Sequence, residues 1–203
     1  MAIFRPEGSS SSGSNFYGVC EIAILGFTDK SSEFKWADIY IDVEIKQKGS
    51  DYTKNIRIAG DLEKSDGKIT GGSVLKRMYN FFDIIGEKAG LTIEGMWEDE
   101  DGNEIRDIAA HLNQRHAQTV MPDTEPDFNY LAYVYKEKPK EKGGKVYSRV
   151  FHRVQENTDK GRQILESDVK WFKDKGFLKE ATESDISTPK QNVEMSQEGI
   201  GNL

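Results

Sequence analysis

Five aliphatic side chains, Ala37, Ile39, Ile41, Val43 and Ile45, occupy every second position of the stretch "FKWADIYIDVEIKQKG". Successive side chains of a β-strand point to opposite faces, so this alternation describes a strand with one apolar face. Gly49-Ser50-Asp51 supplies a turn, and Ile56 and Ile58 continue the apolar face on a return strand, which makes the unit a hairpin. A second hairpin follows from "FNYLAYVYKEKPKEKGGKVYSRVFHRV". On its last strand, Val146, Ser148, Val150, His152 and Val154 share one face, and Lys145, Tyr147, Arg149, Phe151 and Arg153 share the other. Two hairpins with one apolar face each need a common core, so the chain is mainly β.

The remaining segments fit around these hairpins. "YGVCEIAILGFTD" reads as a first strand with a bulge or bend at Gly26. In "TGGSVLKRMYNFFDIIGEKAG", Val74, Leu75, Met78, Phe82 and Ile85 form a helical stripe, with Ser73 as N-cap and Gly86 or Gly90 as the stop. "LTIEGMWEDEDGNEI" reads as a strand pair turning at Asp101-Gly102, followed by an irregular or partly helical stretch. "LESDVKWFKDKGFLKEA" reads as a short amphipathic helix capped by Ser167 and stopped by Gly176. Strand, hairpin, helix, strand and hairpin in that order give the expected fold: a five-stranded OB-fold-like Greek-key barrel with one helix after the third strand and a short C-terminal helix. The expected organisation is a flexible Gly/Ser-containing arm over residues 1–15, the barrel domain over 16–180 with an acidic insertion at 94–127, and a disordered acidic tail over 181–203.

Charge is unevenly spread along the 203 residues, whose net charge is -7. Tyr130 to Arg162 carry nine Lys/Arg against four Asp/Glu, whereas Glu94 to Asp127 carry ten acids against two arginines. A local basic patch attracts polyanions whatever the net charge. Single-stranded nucleic acid presents phosphates and exposed base faces, and a sequence-tolerant binder meets them with cations and flat rings. Lys145, Tyr147, Arg149, Phe151 and Arg153 supply both on one strip, with Tyr133 and Tyr135 beside them on the partner strand. Trp36, Tyr40 and Arg57 extend the candidate surface onto the first hairpin, although Asp38, Asp42 and Glu44 share that face.

The opening "EIAILGFTDKSSEFKWADIYIDVEI", the helix "VLKRMYNFFDIIG" and the late strand "GKVYSRVFHRV" together resemble the bacteriophage-type single-stranded DNA-binding proteins built on an OB-fold. The likeness runs over about Gly18 to Val154 and rests on arrangement and residue character. It implies a protein that coats exposed strands during replication, recombination or repair. It further implies an acidic C-terminal tail that contacts partner proteins; here the tail ends "GIGNL", without a terminal aromatic. A flexible acidic tail also competes with phosphates for a basic groove on its own domain. The rival classes are a protein-interaction or structural barrel and a carbohydrate-binding barrel.

Little points to catalysis, a cofactor or a metal. His111 and His116 are five apart with no cysteine nearby, and read as exposed. In "DEDGNE", Gly102 stands fourth where a calcium loop needs glycine sixth. "TGGS" lacks the lysine of a phosphate-binding loop. Cys20, in an apolar strand, reads as a buried small hydrophobe, and one cysteine forms no internal disulfide. No apolar run approaches the roughly 18 residues of a membrane span, and the N-terminus lacks the apolar centre of a secretory signal. The expected location is cytoplasmic, in the host cytoplasm if the chain is phage-encoded.

Overall fold

The computed structural model describes residues 17–120, 124–141 and 144–186. The proposed arm, and the tail beyond 186, lie outside the described residues. The fold is mainly β. Its centre is a five-stranded antiparallel sheet in the order β10-β9-β1-β2-β3, formed by β1 (Gly18–Asp29), β2 (Ile39–Gln47), β3 (Thr53–Gly60), β9 (Tyr130–Glu137) and β10 (Tyr147–Glu156). Ile39, Ile41, Val43 and Ile45 of β2 share the main core as predicted, and Val43 pairs with Ile56. Ala37 precedes the strand and is buried instead with Tyr40 and Ala59, and Tyr40 and Asp42 between the core residues are buried as well. The expected bulge on β1 falls between Ile24 and Gly26, where the register against β2 shifts.

Among the described residues, a short hairpin and a small three-stranded sheet accompany it. β4 (Glu63–Ser65) pairs with β5 (Lys68–Gly71), a unit absent from the sequence reading because its strands are short and polar. β6 (Gly90–Leu91), β7 (Trp97–Glu98) and β8 (Glu104–Ile105) form a three-stranded patch. At its β7–β8 turn, the Asp99 carboxylate accepts the amides of Asp101 and Asn103, so these acids build a hairpin turn.

Three longer helices cover the sheet. α1 (Ser73–Ile85) buries Val74, Met78, Phe81, Phe82 and Ile85 on the main core. Gly72, not Ser73, is its N-cap, and Gly86 ends it in the left-handed conformation at φ 76°. α2 (Ile108–His116) lies inside the expected insertion and docks on β1. Its Asn113 side chain donates to the Phe27 carbonyl and accepts from the Phe27 amide, each at 2.8 Å, which satisfies the backbone next to the bulge. α3 (Asp159–Asp174) begins well before the expected Ser167 cap: Thr158 caps it by accepting the Gly161 amide at 3.0 Å. Glycine is required at 161 in its first turn, since a Cβ would overlap the Glu156 carbonyl. A last turn, α4, spans Glu183–Ile186. Among the described residues, no helix is long and apolar enough to cross a membrane.

Five long strands and a helix after the third agree with the sequence reading, but the sheet is not closed. No ladder joins β3 to β10 among the described residues; a cavity lies between them. Thr53, Lys54, Asn55 and Arg57 of β3 and Glu137, Ser148 and Arg149 of β9 and β10 line it, so the gap is largely polar.

Candidate nucleic-acid interface

Val150 and Val154 face the main core as expected, but the register of β10 against β9 shifts between them. The His152 ring lies 4.5 Å from Phe151 and 5.5 Å from Phe172 rather than beside the two valines. Val154 is buried in the main core and Val150 packs against it. On the other side, Phe151 is only 4 % exposed. It packs with Leu131, Leu165, Val169 and Leu178 in a second core beneath α3, and its ring meets Phe172 edge-on at 5.0 Å. Phe151 therefore does not present its ring to solvent as the sequence reading expected. Tyr133 and Tyr135 also pack against this core, stacked on each other at 6.2 Å. The Tyr133 hydroxyl donates to Glu180 and accepts from Lys173. The amphipathic stripe of α3 needs an apolar partner, and the rings of β9 and β10 provide it.

The cations of the strip are largely engaged. Arg149 pairs with Glu137 at 2.8 Å and lies over the exposed Tyr147 ring. Arg153 pairs with Asp168 of α3 at 2.9 Å and lies over Phe172. Lys145 is exposed. On the first hairpin, Tyr40 is buried, stacked on Phe34 at 4.4 Å, while Trp36 remains exposed. Tyr40 is thus a second ring whose expected exposure is corrected; the loop carrying Phe34 folds over it. The Arg57 guanidinium lies 5.1 Å from the centre of the Tyr40 ring and 3.7 Å from the buried Asp42, which Lys30 also contacts. The acids on this face neutralise its cations within the protein.

An opening that could take an anion lies elsewhere, around Arg77 of α1. Arg77 and His152 line three adjoining cavities. One, of about 830 Å³, lies between β3 and β10 and is also bordered by Lys54, Arg57 and Arg149. A second, of about 590 Å³, reaches past Tyr135 to Phe172 and Phe177. A third, of about 260 Å³, lies between α1, β10 and α3. Arg77 donates to the Ala59 carbonyl at 2.7 Å, its buried Nε has no hydrogen-bond partner, and no carboxylate pairs with it among the described residues. Burial lowers its pKa. The groove therefore holds a guanidinium fixed by the Ala59 carbonyl; its Nε is itself buried, so its terminal nitrogens are what it offers a ligand.

His152 shares this groove. Burial, with the charges of Arg77 and Arg153, pushes its pKa down to about 4. Its folded value lies below the usual 6.5, so the unfolded chain takes up a proton first as pH falls. The stability owed to this residue should be complete above about pH 6.5 and decline toward about pH 4. Comparing wild type with His152→Phe in urea melts across that range checks this; a difference independent of pH sinks it.

The other two histidines are not exposed as expected. Both project from α2 toward Glu87, which is 3 % exposed just after α1. His116 Nε2 lies 2.7 Å from Glu87 Oε2, Arg115 Nε 3.3 Å and His111 Nε2 3.4 Å. The Lys88 and Ala89 amides donate to Oε1. This cluster ties α2 to the end of α1. Cys20 is buried, as expected, and burial raises its pKa.

Sequence reasoning missed Arg77, which sits among polar helix positions, and the rings of α3. The latter had a legible signal: "WFKDKGF" interleaves aromatics and cations as the β10 strip does. No family model, curated protein or solved structure matches the chain.

Proposed function

We propose that this protein binds single-stranded DNA, as a non-enzymatic coating protein acting where replication, recombination or repair exposes strands. The observation that carries the reading is the groove around Arg77, a guanidinium with no carboxylate partner among the described residues, bordered by Lys54, Arg57 and Arg149. Phosphates there would compete with Glu137 for Arg149 and with Asp42 for Arg57. A flexible strand can lay its phosphates along such a seam, whereas a rigid duplex hides its base faces. The exposed Tyr147 ring, with Lys145 beside it, offers a stacking surface at one end of the seam. In this reading the open sheet is an OB-type Greek-key barrel whose last seam, between β3 and β10, is left to the ligand. The acidic residues beyond the described chain would then serve partner proteins, as the resemblance to the phage-type proteins implies.

An oligonucleotide titration at several salt concentrations tests the proposal. Arg77→Gln should weaken binding about tenfold, the scale of one lost charged hydrogen bond. It should also reduce the slope of log affinity against log salt by about 0.7, and the exposed Arg149→Gln should do the same. A duplex of the same sequence should bind far more weakly. Unchanged slopes in both variants, or equal affinity for duplex and single strand, overturn the assignment.

A further inference from the structure

The C-terminal end of α3 carries more exposed aromatic surface than a solvated helix needs. Trp171 is 50 % exposed and Phe177 is 71 % exposed. Phe177 lies 6.0 Å from Trp171 and 6.1 Å from Phe172, centroid to centroid. Phe172 anchors the group: its ring meets Phe151 edge-on at 5.0 Å and lies 5.3 Å from the Arg153 guanidinium. The left-handed Gly176, at φ 73°, turns the chain so that Phe177 returns to the helix end.

The surroundings of these rings are basic. Lys170, Lys173, Lys175 and Lys179 stand against one acid, Asp174, between positions 170 and 179. Lys170 pairs with Asp174 and Lys173 with Glu180, while Lys175 and Lys179 make no ion pair among the described residues. Lys76 of α1 lines the cavity that runs from Arg77 to Phe172 and Phe177. The aromatic end is therefore continuous with the Arg77 groove and carries the same sign of charge.

We infer that Trp171 and Phe177 form a base-stacking subsite that extends the nucleic-acid track beyond the groove. This inference rests on the single-strand reading of that groove. Rings flanked by cations suit a ligand that brings flat faces and phosphates together, and a single strand brings both at every nucleotide. An apolar protein partner would leave the lysines unanswered. The strand would enter at the β3–β10 seam, pass Arg77, and place its next bases on Phe177 and Trp171.

The test uses the full chain and two oligodeoxythymidylates. One, of about 4 nucleotides, occupies little more than the groove; the other, of about 16, reaches the helix end. Phe177→Ala and Trp171→Ala replace exposed rings and should leave the thermal melt unchanged. Each should weaken the longer oligomer by at least about fivefold and leave the shorter nearly untouched. The salt slope should stay at its wild-type value, because a ring holds no phosphate. In a Trp36→Phe, Trp97→Phe background, emission from Trp171 should be quenched by the longer oligomer. If wild type binds both oligomers and the two variants bind the longer one equally well, the subsite is wrong while the groove reading stands. A slope reduced by the ring variants, or unquenched Trp171 emission, also overturns the subsite. If wild type binds neither oligomer at low salt, the single-strand reading itself falls, and the subsite with it.

Discussion

Phe151→Ala should unfold far more readily than wild type, with a loss of about 3–5 kcal/mol of stability, the usual cost of removing a buried aromatic ring. The ring fills the space between β10 and α3 and touches Phe172. Removing it leaves a cavity that the sheet on one side and the helix on the other cannot close. For a chain of this size the melting temperature should fall by roughly 6–20 °C. Calorimetry or a denaturant melt reads the effect directly. Had Phe151 been an exposed stacking residue, the same substitution would weaken DNA binding and spare the fold. A variant with wild-type stability would therefore reinstate the outward-facing strip. Phe151→Leu keeps most of the apolar volume and should recover part of the loss.

The second large effect is at Glu87. Burial by itself raises the pKa of this carboxyl, but the Ala89 amide, His116, the Lys88 amide and His111 outweigh it and hold the group down to about 2. The ordinary value is 4.5, so the folded state holds the carboxylate ionised where the unfolded chain binds a proton. Its contribution is fully present above about pH 4.5 and is lost as pH falls toward about 2. The shift corresponds to about 3 kcal/mol at neutral pH. Glu87→Gln should lose that amount at pH 7, because the amide cannot answer Arg115 and the two histidines as a carboxylate does. The deficit relative to wild type should shrink through the acid range and vanish near pH 2. Urea melts of both proteins at a series of pH values test this. A deficit that stays constant with pH would mean the carboxylate stabilises the fold through shape alone.

These two residues also mark what a sequence can and cannot disclose. The long strands of the first hairpin, the bulge at Gly26 and the stripe of α1 were all legible, because each is set by periodicity or by the backbone freedom of one residue. Only the second half of α3 was legible; its first turn, capped by Thr158, contains Gly161, and only the Glu156 carbonyl against it shows why a glycine stands there. The Glu87 cluster was invisible, since its members come from the end of α1 and from α2, more than twenty positions apart. Arg77 looked like any solvated helix cation; its place in the groove depends on β3, β10 and α3 arriving around it.

The strip on β10 shows the division most clearly. Alternation alone determined that Phe151 and Arg153 lie on one face and Val150 and Val154 on the other, because side-chain direction in a strand is a local property of the backbone. Whether the face with Phe151 meets water was decided only when α3 laid Leu165 and Val169 across it. Exposure depends on what packs from outside the strand. The strand's own residues carry half of that information, and the covering helix carries the rest.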